Sequence, residues 1–197
     1  LEEVEPEVQK ILVSKWGPER AALVMQKMSV DELVDLIQLL PSRESRDILG
    51  KLSSDSRLQK VKQFLEYDEN TAGGLMTTEY VSTGLDNTVS EVIEHIRRVS
   101  HLHHSIYFVY VTDNKDNLVG VVSLRRLLIA KKEDKIKDIM KKTKRLPVAK
   151  VGDELFKIAL KMTKYNLFSI AVVEKKGGKL LGVVTVDDIM RHFVPRA

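Results

Sequence analysis

At 197 residues, with 43% hydrophobic and 30% charged residues, the chain has the composition of an ordinary globular protein with room for one or two cores. It holds no cysteine, which excludes disulfides, thiolate metal sites and cysteine nucleophiles. The net charge of +4 is uneven, −2 over residues 1–66 and +6 over the rest. The densest basic run, Lys131 to Arg145, interleaves acids and lacks aromatics, so it reads as a solvated linker and helix and not as a nucleic-acid surface. The acidic, polar first residues are unlike a secretory leader, and no apolar run approaches the roughly 18–20 residues that cross a bilayer. The chain starts at Leu1 instead of Met and stops just past a helical pattern, so it is expected to be a soluble piece of a longer protein.

Residues 1–66 read as short amphipathic helices. Val8, Ile11, Leu12 and Trp16 have helical spacing, and Gly17-Pro18 breaks the pattern before a second helix. In SVDELVDLIQLL, Ser29 is a candidate N-cap with Glu32 three residues later, and Val30, Leu33, Val34, Ile37 and Leu40 form one apolar stripe. SRESRDILGKL and SSDSRLQKVKQFLEY continue with serines suited to caps. Helices of this kind stack as a small superhelix and have little use for a buried catalytic cleft.

After Tyr67 the pattern changes. YDENTAGGLMTTEYV is a glycine-containing junction that runs into an extended segment. TVSEVIEHIRRV is a helix with Thr88 and Glu91 as a capping box, SIYFVYVTD and LVGVVS are strands around a turn, and LRRLLIAKK is a helix. The order then recurs: RLPVAKV extended, GDELFKIALKMTKYN helical, LFSIAVVE and LLGVVTV strands, DDIMRHF helical. The repeat is plainest in LVGVVSLRRLL (Leu118–Leu128) against LLGVVTVDDIM (Leu180–Met190), with Gly120 and Gly182 62 positions apart. A glycine inside a strand signals close backbone approach or a bulge. The chain is thus expected to be α + α/β: a helical domain followed by two β-α-β-β-α units.

The paired strand-to-helix junctions GVVS and GVVTVDDI resemble those of tandem CBS domains, regulatory modules of enzymes and transporters. With SVDELVDLI and YDENTAGGLMTTEYV ahead of them, the whole chain is similar to the cytosolic region of the MgtE magnesium transporter family. The resemblance implies a helical N domain over residues 1–66, a junction over 67–75, and CBS domains over 76–134 and 135–197. It implies a Mg²⁺ sensor on the cytoplasmic side of the cell membrane, attached to a transmembrane pore domain that it gates. The metal ligands it implies are Asp31, Asp35, the Gly74 carbonyl and Asp188, with Glu154 and Asn166 as weaker matches. Asn166 stands where the family usually has aspartate, and Arg191 and Arg196 stand where it continues with acids. Mg²⁺ takes hard oxygen donors and keeps several waters, so one or two carboxylates per ion suffice.

Each of these residues also has a plainer reading. Asp31 and Asp35 are spaced for a solvated helix face, and Asp188 suits a helix N-terminus. A second reading is an adenine-nucleotide-sensing CBS module. In CBS pairs a Ser/Thr followed three residues later by Asp often binds ribose, which singles out Thr185 and Asp188. In the first copy Ser123 is followed by Arg126, and Arg125 and Arg126 suit phosphates, so ATP is a candidate ligand beside Mg²⁺. An enzyme is not expected, because no nucleophile–base constellation occurs. Nor does a GxxxxGK[ST] or GxGxxG loop. His101, His103 and His104 read as a solvated loop and the six methionines as core filler. The apolar units are expected to bury the helices LRRLLIA and DDIMRHF against a second copy, making a homodimer through the CBS pair.

Overall fold

In the computed structural model, which describes residues 4–52, 56–100, 106–143, 146–174 and 178–193, local sequence signals account for most element boundaries. The chain divides into two units, Leu1–Tyr67 and Asp68–Ala197. In the first, α1 (Pro6–Met25) is interrupted at Gly17, whose φ of 75° is readily adopted by glycine, with Pro18 immediately after. Ser29 accepts from the Glu32 N–H and opens α2 (Val30–Leu39). The predicted α2 stripe is buried, and Leu36 joins it at 0% exposure, so the apolar face is wider than the spacing suggested. In α1 the spacing misleads: Val8 and Ile11 are exposed, and Val13, Ala21, Ala22 and Met25 face inward. The two alanines allow a close helix approach that larger side chains would prevent. α3 (Ser42–Leu49) packs on α1, α4 (Ser56–Phe64) on α2, and Ser45 Oγ donates to the Ile37 carbonyl at 3.0 Å.

The second unit opens with one helical turn, α5 (Ala72–Leu75), where the sequence suggested only a junction. There follow β1 (Val81–Gly84), α6 (Val89–Val99), β2 (Phe108–Thr112), β3 (Leu118–Ser123), α7 (Leu124–Ile129), α8 (Ile136–Ile139) and β4 (Lys141–Lys142). The repeat adds β5 (Ala149–Lys150), α9 (Leu155–Tyr165), β6 (Ser169–Val173), β7 (Leu180–Thr185) and α10 (Val186–Phe193). Thr88 and Glu91 form the reciprocal capping box at the start of α6. In each module the first strand is parallel to the second, which pairs antiparallel with the third: β1-β2-β3 and β5-β6-β7. A bulge falls at Val111/Thr112 and again at Val172/Val173.

The modules exchange their lead-in segments. β4, which precedes the second module, pairs with β3 of the first, and the Ile136 and Lys137 N–H groups donate to Asn87 and Leu85 carbonyls. In mirror fashion Thr77, which precedes the first module, pairs with Val183 in the second, and the Ala72 and Gly73 N–H groups donate to Asp153 and Val151. Both strand glycines lie under these crossings. A Cβ on Gly182 would sit 2.7 Å from the Thr77 carbonyl oxygen, and one on Gly120 2.7 Å from Met140 Sδ and 2.9 Å from the Lys141 carbonyl oxygen. The sequence suggested close backbone approach or a bulge, and both occur: a carbonyl oxygen crowds each glycine, and a bulge falls beside it.

One core cluster fills the first module, built on Val81, Val89, Val109, Val122 and Ile136. Another lies between the sheets, where Tyr110 and Leu118 meet Ala171, Val173, Leu180 and Val183. The Tyr110 hydroxyl and Ser169 Oγ bond across that seam at 2.8 Å, and Tyr107 stacks on Phe168 with centroids 5.4 Å apart. Among the described residues no helix is long and apolar enough to cross a membrane.

Candidate functional site

The seam between the modules opens into a cavity of about 1150 Å³. Its walls come from β2 and β3 on one side and from Val148, Leu167 and Ser169–Ala171 on the other, with Ile139–Lys142 across the lead-in. Phe108, Tyr110, Val121 and Ile170 make the lining largely apolar, while Arg126, Lys141 and Lys142 supply positive charge. Such a volume exceeds what a nucleotide-sized ligand requires. Tyr110 is buried, which raises its phenol above the ordinary range against the smaller lowering from the Ser169 bond, so it stays protonated.

The four residues marked for nucleotide binding do not share one place. Arg126 lines the cavity; Arg125, Thr185 and Asp188 do not. The reason is the pseudo-twofold arrangement, which puts Ser123–Arg126 and Thr185–Asp188 at equivalent points of different modules. Asp188 is instead engaged locally. Its Oδ2 accepts from the Thr185 N–H at 2.8 Å and from Thr185 Oγ1 at 2.6 Å, while its own N–H donates to Thr185 Oγ1 at 3.3 Å. That is a capping box at the start of α10, with Arg191 3.9 Å from Oδ1. Ser123 caps α7 more simply, accepting from the Arg126 N–H at 3.2 Å.

The residues marked for metal fall into separate groups. Asp31, half-buried, and Asp35, exposed, lie one turn apart on α2. In the second unit Glu154 pairs with Thr71 across an antiparallel bridge, three residues from Gly74. A Cβ on Gly74 would sit 2.4 Å from the Asp68 carbonyl oxygen, so tight packing alone demands glycine there. Asn166 is at the far end of α9 from Glu154, roughly 18 Å away at 1.5 Å per residue, so the two cannot serve one ion. Its backbone is left-handed, φ 50° and ψ 52°, and the Leu167 N–H closes the turn onto the Met162 carbonyl at 2.9 Å. Asparagine tolerates that conformation well, which accounts for its presence where an acid was expected. His192, one turn beyond Asp188 on α10, meets Asn70 Oδ1 at 2.9 Å and ties the helix end to the lead-in. Among the described residues no three His, Asp or Glu side chains converge as a metal cluster. The histidines at 101, 103 and 104 and Arg196 lie outside the described residues.

Sequence reasoning missed Asp153, which is 6% exposed. Lys157 and Lys161 each donate to it at 2.7 Å, and the Lys150 N–H donates at 3.1 Å. Burial pushes its carboxyl up, but these bonds outweigh burial and hold it at about 2. A carboxyl held below its unfolded value near 4 stabilises the fold fully above about pH 4 and loses that contribution as pH falls through about 2. Asp153→Asn is therefore expected to cost roughly 1–2 kcal/mol at pH 7, a figure reduced because both lysines reach solvent. Urea unfolding should show the gap between wild type and variant narrowing below about pH 4. A gap independent of pH would mean that the charge of Asp153 is not what stabilises the fold. Lys141 and Lys142 were also missed as lining residues. The clue was slight: Leu75-Met76-Thr77-Thr78 and Ile139-Met140-Lys141-Lys142 hold equivalent places in the repeat but share only the methionine.

Comparison with known proteins covers both units. The model of the MgtE intracellular N domain matches residues 1–70, and that of the CBS domain matches residues 72–133 and 136–195. The chain is 30% identical over 195 residues to the magnesium transporter MgtE of Bacillus subtilis (strain 168), covering 99% of this chain and 42% of that protein. It is similar to the crystal structure of the soluble part of a magnesium transporter, with a TM-score of 0.87, 33% identity, and coverage of 95% of this chain and 72% of the other. It is also similar to the cytosolic domain of the Mg²⁺ channel MgtE in complex with ATP, with a TM-score of 0.64, 29% identity, and coverage of 96% and 86%. The chain spans less than half the length of the curated relatives it matches.

Proposed function

Since the chain belongs to the MgtE family, joining the family's N domain to a CBS pair, we propose that it is the Mg²⁺-sensing regulatory region of a magnesium transporter or channel. In this reading it lies on the cytoplasmic side of the membrane, covalently continuous with a transmembrane pore. The observation that carries the proposal is the match of both units, in order, to the soluble part of a magnesium transporter. The donors fit the ion: Asp31 and Asp35 offer carboxylate oxygens from one face of α2, and the chain contains no cysteine that would favour a softer metal. With Asp188 they form a like-charged set on two separately folded units. Such sets repel until a cation enters between them, which makes the separation of the units a readout of ion concentration. Glu154, the Gly74 carbonyl and Asn166 are secondary donors in this reading.

Small-angle scattering tests it directly. Moving from chelator to about 20 mM Mg²⁺, a range suited to weak oxygen-ligand sites, is expected to shrink the radius of gyration. The same data are expected to give the mass of a dimer, with two copies joined through α7 and α10, where Leu128, Ile129, Met190 and Phe193 are exposed in the single chain. A radius that does not change with Mg²⁺ would defeat the sensor reading, and a monomer mass at tens of micromolar would defeat the dimer.

A second ligand is favoured by the cavity itself. A half-open cavity with apolar walls, edged by Arg126, Lys141 and Lys142, suits the base and phosphates of a nucleotide. Because a similar MgtE cytosolic domain was crystallised in complex with ATP, we assign this cavity to an adenine nucleotide, which adds an energy-linked input to the control by Mg²⁺.

A further inference from the structure

The two modules place opposite charges at equivalent points, and the cavity lies beside the positive one. Arg126 stands three residues after the α7 cap Ser123, and Asp188 three residues after its counterpart Thr185. Only the former pair lines the cavity, together with Lys141 and Lys142, and no Asp or Glu is among its described lining residues. Each of its hydroxyl-bearing side chains already takes part in one bond. Ser123 Oγ accepts from the Arg126 N–H, and the Tyr110 hydroxyl and Ser169 Oγ bond each other at 2.8 Å. The vicinal hydroxyls of a ribose are best read by a carboxylate, which accepts from both at once. No such group is among the described lining residues. Three cations, in contrast, gain with every phosphoryl group a ligand carries.

We propose that the cavity selects its ligand by the number of phosphoryl groups and is indifferent to the sugar 2′-hydroxyl, a nucleoside polyphosphate site in which Arg126, Lys141 and Lys142 set specificity. This rests on the nucleotide reading of the same cavity. It gives the differing tails of the repeat a chemical consequence: the Arg-bearing copy faces the anion, and the Asp-bearing copy closes its own helix cap. Lys141 and Lys142 belong to the exchanged strand β4, so a bound polyphosphate engages α7 and the inter-module lead-in together.

Calorimetry of the full 197-residue chain in chelator, with ATP, dATP and AMP at one ionic strength, tests the proposal. dATP is expected to bind within about twofold of ATP, and AMP at least about tenfold more weakly, as the loss of charge-assisted phosphate contacts implies. Arg126→Ala and the double variant Lys141→Ala/Lys142→Ala should each weaken ATP by about tenfold or more and AMP much less. All three side chains are exposed, and unchanged melting temperatures would confirm the fold. If dATP binds at least about tenfold more weakly than ATP, or AMP as tightly as ATP, the selection rule is overturned while the nucleotide reading stands. If none of the three binds, both fall.

Discussion

Gly182→Ala is expected to destabilise residues 68–197 by about 2 kcal/mol or more, a cost in the range of overpacked interiors. The sign is what makes the experiment informative. In a strand interior alanine is ordinarily the better residue, by about 0.5–1 kcal/mol, because glycine loses more backbone entropy on folding. Gly182 has no left-handed φ to defend, so space alone decides. A Cβ there would lie 2.7 Å from the Thr77 carbonyl oxygen and 3.0 Å from Met76 Cγ and Sδ. Of these only the methionine can swing away. The carbonyl belongs to a backbone pair in which Thr77 and Val183 exchange N–H bonds at 2.8 and 3.0 Å, so relief of the clash breaks that pairing. Gly120→Ala should cost somewhat less, since its nearest neighbour is the flexible end of Met140 and the Lys141 carbonyl oxygen stands at 2.9 Å, against 2.7 Å for the Thr77 carbonyl at Gly182. Urea unfolding of the wild type and both variants checks the ordering. A Gly182→Ala variant as stable as the wild type would show that the lead-in segment does not cross there.

The double substitution Asp31→Asn/Asp35→Asn is expected to abolish Mg²⁺-dependent compaction while leaving the fold intact. Both carboxylates project from α2 beside a stripe whose apolar members Val30, Leu33, Val34 and Ile37 are buried. The change keeps side-chain size and removes two charges. Substitutions at such positions usually shift stability by no more than about 0.5 kcal/mol. Neutralising them also relieves repulsion toward other acids, so the ion-free protein should become no more open, and its protease resistance should no longer rise with Mg²⁺. In a parent protein that carries the pore, the loss should appear as altered Mg²⁺ dependence of transport and not as loss of transport. Limited proteolysis across a Mg²⁺ series, with thermal melting as the fold control, reads the difference. Coincident protection curves for the two proteins would reduce Asp31 and Asp35 to a solvated helix face and leave the sensor resting on Asp188.

Local signals carried much of this protein. The Ser29 cap, the Thr88–Glu91 capping box and the Gly17-Pro18 break are interactions between residues a few positions apart, so their spacing is enough to predict them. The repeat around Gly120 and Gly182 carried the module order and, with SVDELVDLI and the AGG junction, the family. The spacing of Asp31 and Asp35 put them on one helix face. What the spacing could not convey was which residues far apart in the chain come into contact. Periodicity in α1 favoured Val8 and Ile11, but Val13 and two alanines face the core, because the partner helix decides which side is buried. Thr185 and Asp188 matched a ligand pattern, yet their own hydrogen bonds close a helix cap. The tertiary structure alone decided that each module pairs with the other's lead-in, through the strand β4 in the first module and through the single Thr77–Val183 bridge in the second. That exchange brings Lys141 and Lys142 to Arg126 and requires glycine at positions 120 and 182. It is set by the pairing of two sheets across a pseudo-twofold seam, a long-range contact that no local pattern encodes.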